Sequence, residues 1–201
     1  MNAVEGGAIE LYWLPLGAGG WFVRFNGRVY EALQALRDRR PTLDLFHTAL
    51  VVTVPEGRFV VENTWPIPDS DGSARGSVVE GPVFDVRLGR LRSFRYEVRC
   101  WRDGTIADIA YAVDSPQRVC DDESQARAVL ELVESVPPLI WGRPVSGSSE
   151  MWNSNSVIAW LLTRAGVDMD TISAPPHGRA PGWLTGITLA RVALTPENRL
   201  T

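Results

Sequence analysis

Few residue types in this chain can act as nucleophile, base or metal ligand, so its chemistry narrows quickly. There are two histidines, His47 and His177, and two cysteines, Cys100 and Cys120. All 20 basic residues are arginine. Without lysine, Schiff-base chemistry, a pyridoxal-phosphate anchor and a phosphate-loop lysine are all excluded. Neither histidine has a partner at metal-ligand spacing and the cysteines form no C-x-x-C pair, so no metal is expected. LPLGAGGW (14–21) lacks the G-x-G-x-x-G spacing of a dinucleotide loop. No cofactor is expected.

Two polar clusters remain. FHTALVV (46–52) carries His47 into an apolar strand. MWNSNSVIAWLL (151–162) opens an apolar helix with Asn153, Ser154, Asn155 and Ser156, all favourable helix-capping types. A serine at a helix start is either a cap or a nucleophile whose proton a nearby base must take. A histidine at a strand entrance is either a satisfied core residue or that base.

The elements that must hold these groups follow from pattern. Residues 8–14 read as a strand and 29–39 as a helix with Ala32, Leu33 and Leu36 on its apolar face, ended by Pro41. Segments 45–54 and 58–65 read as a hairpin around Pro55-Glu56-Gly57. Proline, serine, aspartate and glycine over 66–81 predict a mobile loop. Strands are expected at 83–88 and 93–101. In the second, Tyr96, Val98 and Cys100 alternate with Glu97 and Arg99, whose face reads as solvated. Helices are expected from Asp121-Asp122 to about Val136 and over 155–165, the latter closed by Gly166, with a short one at 184–194. The whole, 1–201, reads as a single α+β domain.

The order of the histidine strand, a polar residue on the next strand and the NSNSV helix start resembles the circularly permuted papain-like hydrolases of the NlpC/P60 type, including the LRAT-like proteins. The resemblance covers roughly 44–65 and 150–166. It implies an antiparallel sheet packed against helices. It also implies His47 as general base and Ser154 in place of the catalytic cysteine, with Val157 where an aromatic residue would stand. Glu62 or Asn63 would be the orienting residue, Glu62 preferred because a carboxylate stabilises an imidazolium. Asn63, Asn153, Asn155 and Trp152 become candidate binding residues. The implied activity is that of an amidase, esterase or acyltransferase on a small-molecule or peptide substrate. The alternative is a binding module that keeps the fold without the chemistry. A cysteine enzyme built on Cys100 or Cys120 is a third reading, disfavoured by the core face of Cys100 and by Asp121 and Asp122 beside Cys120.

The formal charge of −4 and pI near 5.3 argue against a nucleic-acid partner. No apolar run is long enough to span a membrane, and no basic, apolar leader opens the sequence. The scarce cysteines suit a reducing, cytoplasmic setting. The oligomeric state is not legible.

Overall fold

In the computed structural model the described residues are 6–17, 21–66, 76–106, 108–145, 147–148 and 150–192. Of 21–29, 77 and 78 only the backbone is described. The fold is α+β. Strands β1 (Ala8–Pro15), β2 (Asp44–Val54), β3 (Gly57–Thr64), β4 (Ser77–Pro82), β5 (Arg95–Arg102) and β6 (Val113–Cys120) form a sheet in the order β4-β5-β3-β2-β1-β6. All of these neighbours are antiparallel. The two-residue β7 (Gly178–Arg179) adds a parallel pairing to the start of β2. The described helices are α1 (Trp21–Asp38), α2 (Glu123–Leu132), α3 (Ser154–Arg164) and α4 (Trp183–Val192).

The main core lies between one face of the sheet and the helices. Leu50, Val52, Val61 and Val98 from the sheet meet Ala126 and Val129 of α2 and Val157, Ile158, Leu161 and Leu162 of α3. α3 is buried over nearly its whole length, which its run of apolar residues makes possible. The opposite face carries a smaller cluster: Tyr12, Leu14, Ala49, Val51, Val60 and Ile106.

The hairpin turns at Pro55–Gly57 as its residues dictate, with Gly57 at φ 145°. Asp122 caps α2 by accepting from the Gln125 N–H, and Gly166 adopts φ 81° just past α3.

Four expectations are corrected. The helix read at 29–39 begins at Trp21, and its supposed apolar face is solvent: Leu33 and Leu36 are 62% and 78% exposed. Among its described side chains the buried ones are Ala35 and Glu31, because Glu31 binds Arg40, the Leu43 N–H and Arg179 and so draws that side of the helix inward. The span read as a loop over 66–81 contains most of β4, where pairing with β5 outweighs the local turn residues; 67–75 lie outside the described residues. The strand expected at 83–88 is instead a turn, because Phe84 sits at φ 63°. Glu97 and Arg99 do lie on the face opposite Val98, but both are buried rather than solvated.

Candidate functional site

The start of α3 reaches the sheet at a gap. On the edge of β2 away from β1, pairing with β3 stops at Ala49 and pairing with β7 stops at Leu45. Residues 46–48, with His47 at their centre, have no strand partner there. Asn155 fills the vacancy. Its side-chain amide donates to the Phe46 carbonyl (2.9 Å) and to the Pro181 carbonyl (2.9 Å), and its side-chain oxygen accepts from the Thr48 hydroxyl (3.1 Å). Two of these buried hydrogen bonds clamp the helix start to Phe46 and Thr48, the residues that flank His47, and the third ties it to Pro181.

The cap of α3 is Asn153. Its Oδ1 accepts from the Ser156 N–H, while Ser156 Oγ accepts from the Asn153 N–H, so the two close a reciprocal box. Ser156 Oγ also donates to the Gly182 carbonyl (2.8 Å). Gly182 is held so close that a Cβ there would lie 2.6 Å from both Asn153 Oδ1 and Ser156 Oγ. Ser154 takes no part in this. It is 5% exposed, its hydroxyl makes no hydrogen bond to a described residue, and the N–H groups of Ser154 and Asn155 are the two at the helix start that the cap leaves unclaimed. A serine that caps the helix is therefore not what this residue is.

The other residues expected at the site divide between the two faces of the sheet. Ala49 pairs directly with Glu62, which pairs with Arg99. His47 lies two residues before Ala49 and opposite Leu14, so it shares the face of Leu14, Ala49, Glu62 and Arg99. Asp108, two residues beyond buried Ile106, acts electrostatically on both His47 and Glu62. Burial lowers the His47 imidazole to about 4, opposed by Asp108. Burial raises the Glu62 carboxyl to about 7, with Arg99 opposing and Asp108 adding to the rise. At neutral pH the imidazole is uncharged, and the same burial makes it a weaker base than a free imidazole, while Glu62 is poised to exchange a proton.

Asn63 falls on the opposite face, with Val61 and beside Thr48. It is 4% exposed, and neither its amide nitrogen nor its carbonyl oxygen has a hydrogen-bond partner. The structure therefore brings His47 and Glu62 onto one face, and Ser154, Asn155 and Asn63 to the other side, joined at the gap. No hydrogen bond links His47 to Ser154.

The polar atoms of Asn153 and Asn155 are occupied within the fold, including an Asn153 amide bond to the Pro181 carbonyl (2.8 Å). Trp152 is fully buried and its indole N–H donates to the Tyr96 hydroxyl (3.2 Å), which makes it core rather than a platform for ligand. The Cys100 thiol is raised by burial to about 11, so it stays protonated at neutral pH and is a poor nucleophile. His177 is exposed. Among the described residues no group of three or more histidine, cysteine or acidic side chains is placed to hold a metal.

Sequence reasoning missed Thr48, Arg99 and Asp108. The alternation of β5 does put Arg99 opposite Cys100, but only the β3–β5 register sets it beside Glu62. Asp108 carries no local signal at all.

No protein family, no curated protein and no solved structure matches this chain.

Proposed function

We propose that the protein is a serine-dependent acyl hydrolase or acyltransferase acting on the amide or ester of a small molecule or peptide. Ser154 is the nucleophile and His47 the base. The observation that carries this reading is the Asn155 clamp, which fixes a helix start with two unclaimed N–H groups against the three-residue gap centred on His47. The chain order of a histidine strand, a polar residue on the next strand and a helix opened by the nucleophile resembles that of the permuted papain-like hydrolases, with Ser154 where those carry cysteine.

In the reaction Ser154 Oγ attacks the acyl carbon as its proton passes to the His47 imidazole. The N–H groups of Ser154 and Asn155 receive the oxyanion. The imidazolium returns its proton to the departing amine or alcohol. Water or an acceptor hydroxyl then attacks the acyl carbon as His47 takes its proton, the ester bond to Ser154 breaks, and the imidazolium returns that proton to Ser154 Oγ. Asp108 and ionised Glu62 stabilise the cation formed at each step.

A fluorophosphonate probe tests this. Wild-type protein is expected to be labelled at Ser154, and Ser154→Ala and His47→Ala to abolish labelling. Glu62→Gln should slow it less, because an orienting group assists a base that is already present. The absence of a His47–Ser154 hydrogen bond favours a second reading, a binding module that keeps the gap without the chemistry. Unlabelled wild type with an intact fold selects that reading.

A further inference from the structure

Between β4 and β5 the chain makes a protrusion, 84–94, that belongs neither to the core nor to the site above. No residue in it is buried. It presents four large apolar side chains to solvent: Phe84 at 56%, Val86 at 65%, Leu88 at 37% and Leu91 at 59% exposed. Arginines 87 and 90 alternate with them, both exposed and neither in an ion pair with a described residue. Across the chain the formal charge is −4, so this basic, apolar knob has the opposite character to the average surface.

The knob is rigidly held. At its base Val83 is fully buried and bridges to Trp141. The Phe84 N–H donates to the Trp141 carbonyl (3.0 Å), and Arg143 Nε donates to the Phe84 carbonyl (2.9 Å). These bonds hold Phe84 at φ 63°, a conformation a bulky residue does not adopt freely. Two short 3-10 turns, Leu88–Arg90 and Arg92–Phe94, complete it, and Arg95 Nε ties back to the Gly89 carbonyl (2.6 Å). Trp141, which bonds Phe84 through the backbone, also packs against the half-exposed Trp65, with ring centroids 6.1 Å apart and planes tilted by 39°.

We propose that this protrusion docks the protein on an anionic phospholipid surface. Phe84, Val86, Leu88 and Leu91 enter the boundary between headgroups and acyl chains. Arg87 and Arg90 bind lipid phosphates, and Trp65 lies at the headgroup level. A segment with these four apolar side chains exposed and interleaved with arginine suits a lipid surface, which needs no preformed pocket to receive them. Apolar side chains interleaved with arginine supply both contributions that peripheral binding requires, area and charge. Arginine in particular can bury its stem while its guanidinium stays with phosphate. The inference concerns attachment only: among the described residues no helix is long and apolar enough to cross a membrane. It does not depend on the reaction at Ser154.

Co-sedimentation of the full chain with vesicles tests it. Wild type should pellet with phosphatidylcholine vesicles containing a quarter phosphatidylglycerol, and should be released by 0.5 M NaCl. It should stay in solution with phosphatidylcholine alone. Arg87→Gln/Arg90→Gln should lower the partition coefficient roughly 25-fold, at about fivefold per arginine. Phe84→Ser/Leu91→Ser, both at exposed positions, should lower it about tenfold or more with unchanged circular dichroism. No pelleting of wild type, or equal pelleting of wild type and the arginine variant, overturns the proposal. So does a monomer shift of Phe84→Ser/Leu91→Ser on a sizing column without vesicle binding by wild type, which would mark the knob as a contact between copies. Binding of an acidic peptide but not of vesicles overturns it as well.

Discussion

Along β2, Phe46, Leu50 and Val52 point into the large core beneath α2 and α3, while Ala49 and Val51 point into a smaller cluster, six buried residues among those described. The first face is almost wholly apolar, broken at one end by Thr48, Asn63 and Asn155. The second turns from apolar to charged along its length, with His47, Glu62, Glu97 and Arg99 beside Val60 and Ile106. One sheet thus separates two tasks. The helix-covered face supplies cohesion and pins the start of α3. The other holds buried and half-buried ionisable groups, and burial there shifts the proton affinities of His47 and Glu62. His47 belongs to the second face and Ser154 to the first, and at the gap Asn155 bonds the two residues beside His47.

The largest expected effect tests the division of cohesion. Leu161→Ala empties volume in the middle of the helix layer, where the residue is fully buried, and should cost about 3–5 kcal/mol. Val51→Ala removes less from a smaller cluster and should cost about 1–2 kcal/mol. Urea melts of both variants measure the difference. Equal losses would mean that the second face contributes as much to stability as the first.

The second effect sharpens the electrostatic side. Glu62 has its carboxyl raised from 4.5 to about 7. Between those pH values the folded state holds a proton that the unfolded chain has released, so this group's contribution to stability falls as pH rises through the window. His47 is lowered from 6.5 to about 4, so there the unfolded chain holds the extra proton and stability falls as pH drops from 6.5 to 4. Each slope is about 1.4 kcal/mol per pH unit, up to about 3 kcal/mol across the window. From pH 4.5 to 6.5 the two oppose and nearly cancel. Asp108 acts on both groups and Arg99 on Glu62, and both remain in every variant. His47→Gln should therefore unmask a protein that loses stability as pH rises towards 7. Glu62→Gln should unmask one that loses stability as pH falls towards 4. Denaturant midpoints across pH 4–8, each compared with wild type, read this directly. Curves parallel to wild type would show that neither group is shifted.

What the sequence made legible follows the same division. α3 was readable because capping residues, an apolar run and Gly166 all agree locally. The hairpin was readable because Pro55-Glu56-Gly57 interrupts two β-branched runs. The second face was not, because its character depends on register: Arg99 reads as solvated until β3 sets it against Glu62, and Asp108 reaches the cluster only through the path of the chain after β5. Leu33 and Leu36 misled because an ion pair, Glu31 with Arg40, outweighed their apolar stripe. Nothing in 113–120, which includes Pro116, marks it as the strand that completes the sheet beside β1. Of the site, the sequence singled out the strand and helix segments that Asn155 ties together, while the allotment of side chains to faces, which sets His47 and Ser154 on opposite sides, required the fold.

The smallest effect concerns two adjacent residues at the gap. Asn153 and Ser154 are both favourable caps by type, and from sequence either could serve. In the structure Asn153 alone bonds the Ser156 N–H, and its amide also holds the Pro181 carbonyl. Asn153→Ala removes both bonds and should cost about 1–2 kcal/mol, with α3 fraying at its first turn. Ser154→Ala removes a hydroxyl with no partner among the described residues, so thermal or urea melts should move by less than about 0.5 kcal/mol. The pair separates two explanations of a polar helix start. If Ser154→Ala destabilises as much as Asn153→Ala, the hydroxyl has a structural partner and the case for a nucleophile weakens. If Ser154→Ala melts like wild type yet loses fluorophosphonate labelling, the serine is retained for chemistry alone. Asn153→Ala should then keep the label at reduced rate, because it loosens the N–H groups that receive the oxyanion without touching the attacking oxygen.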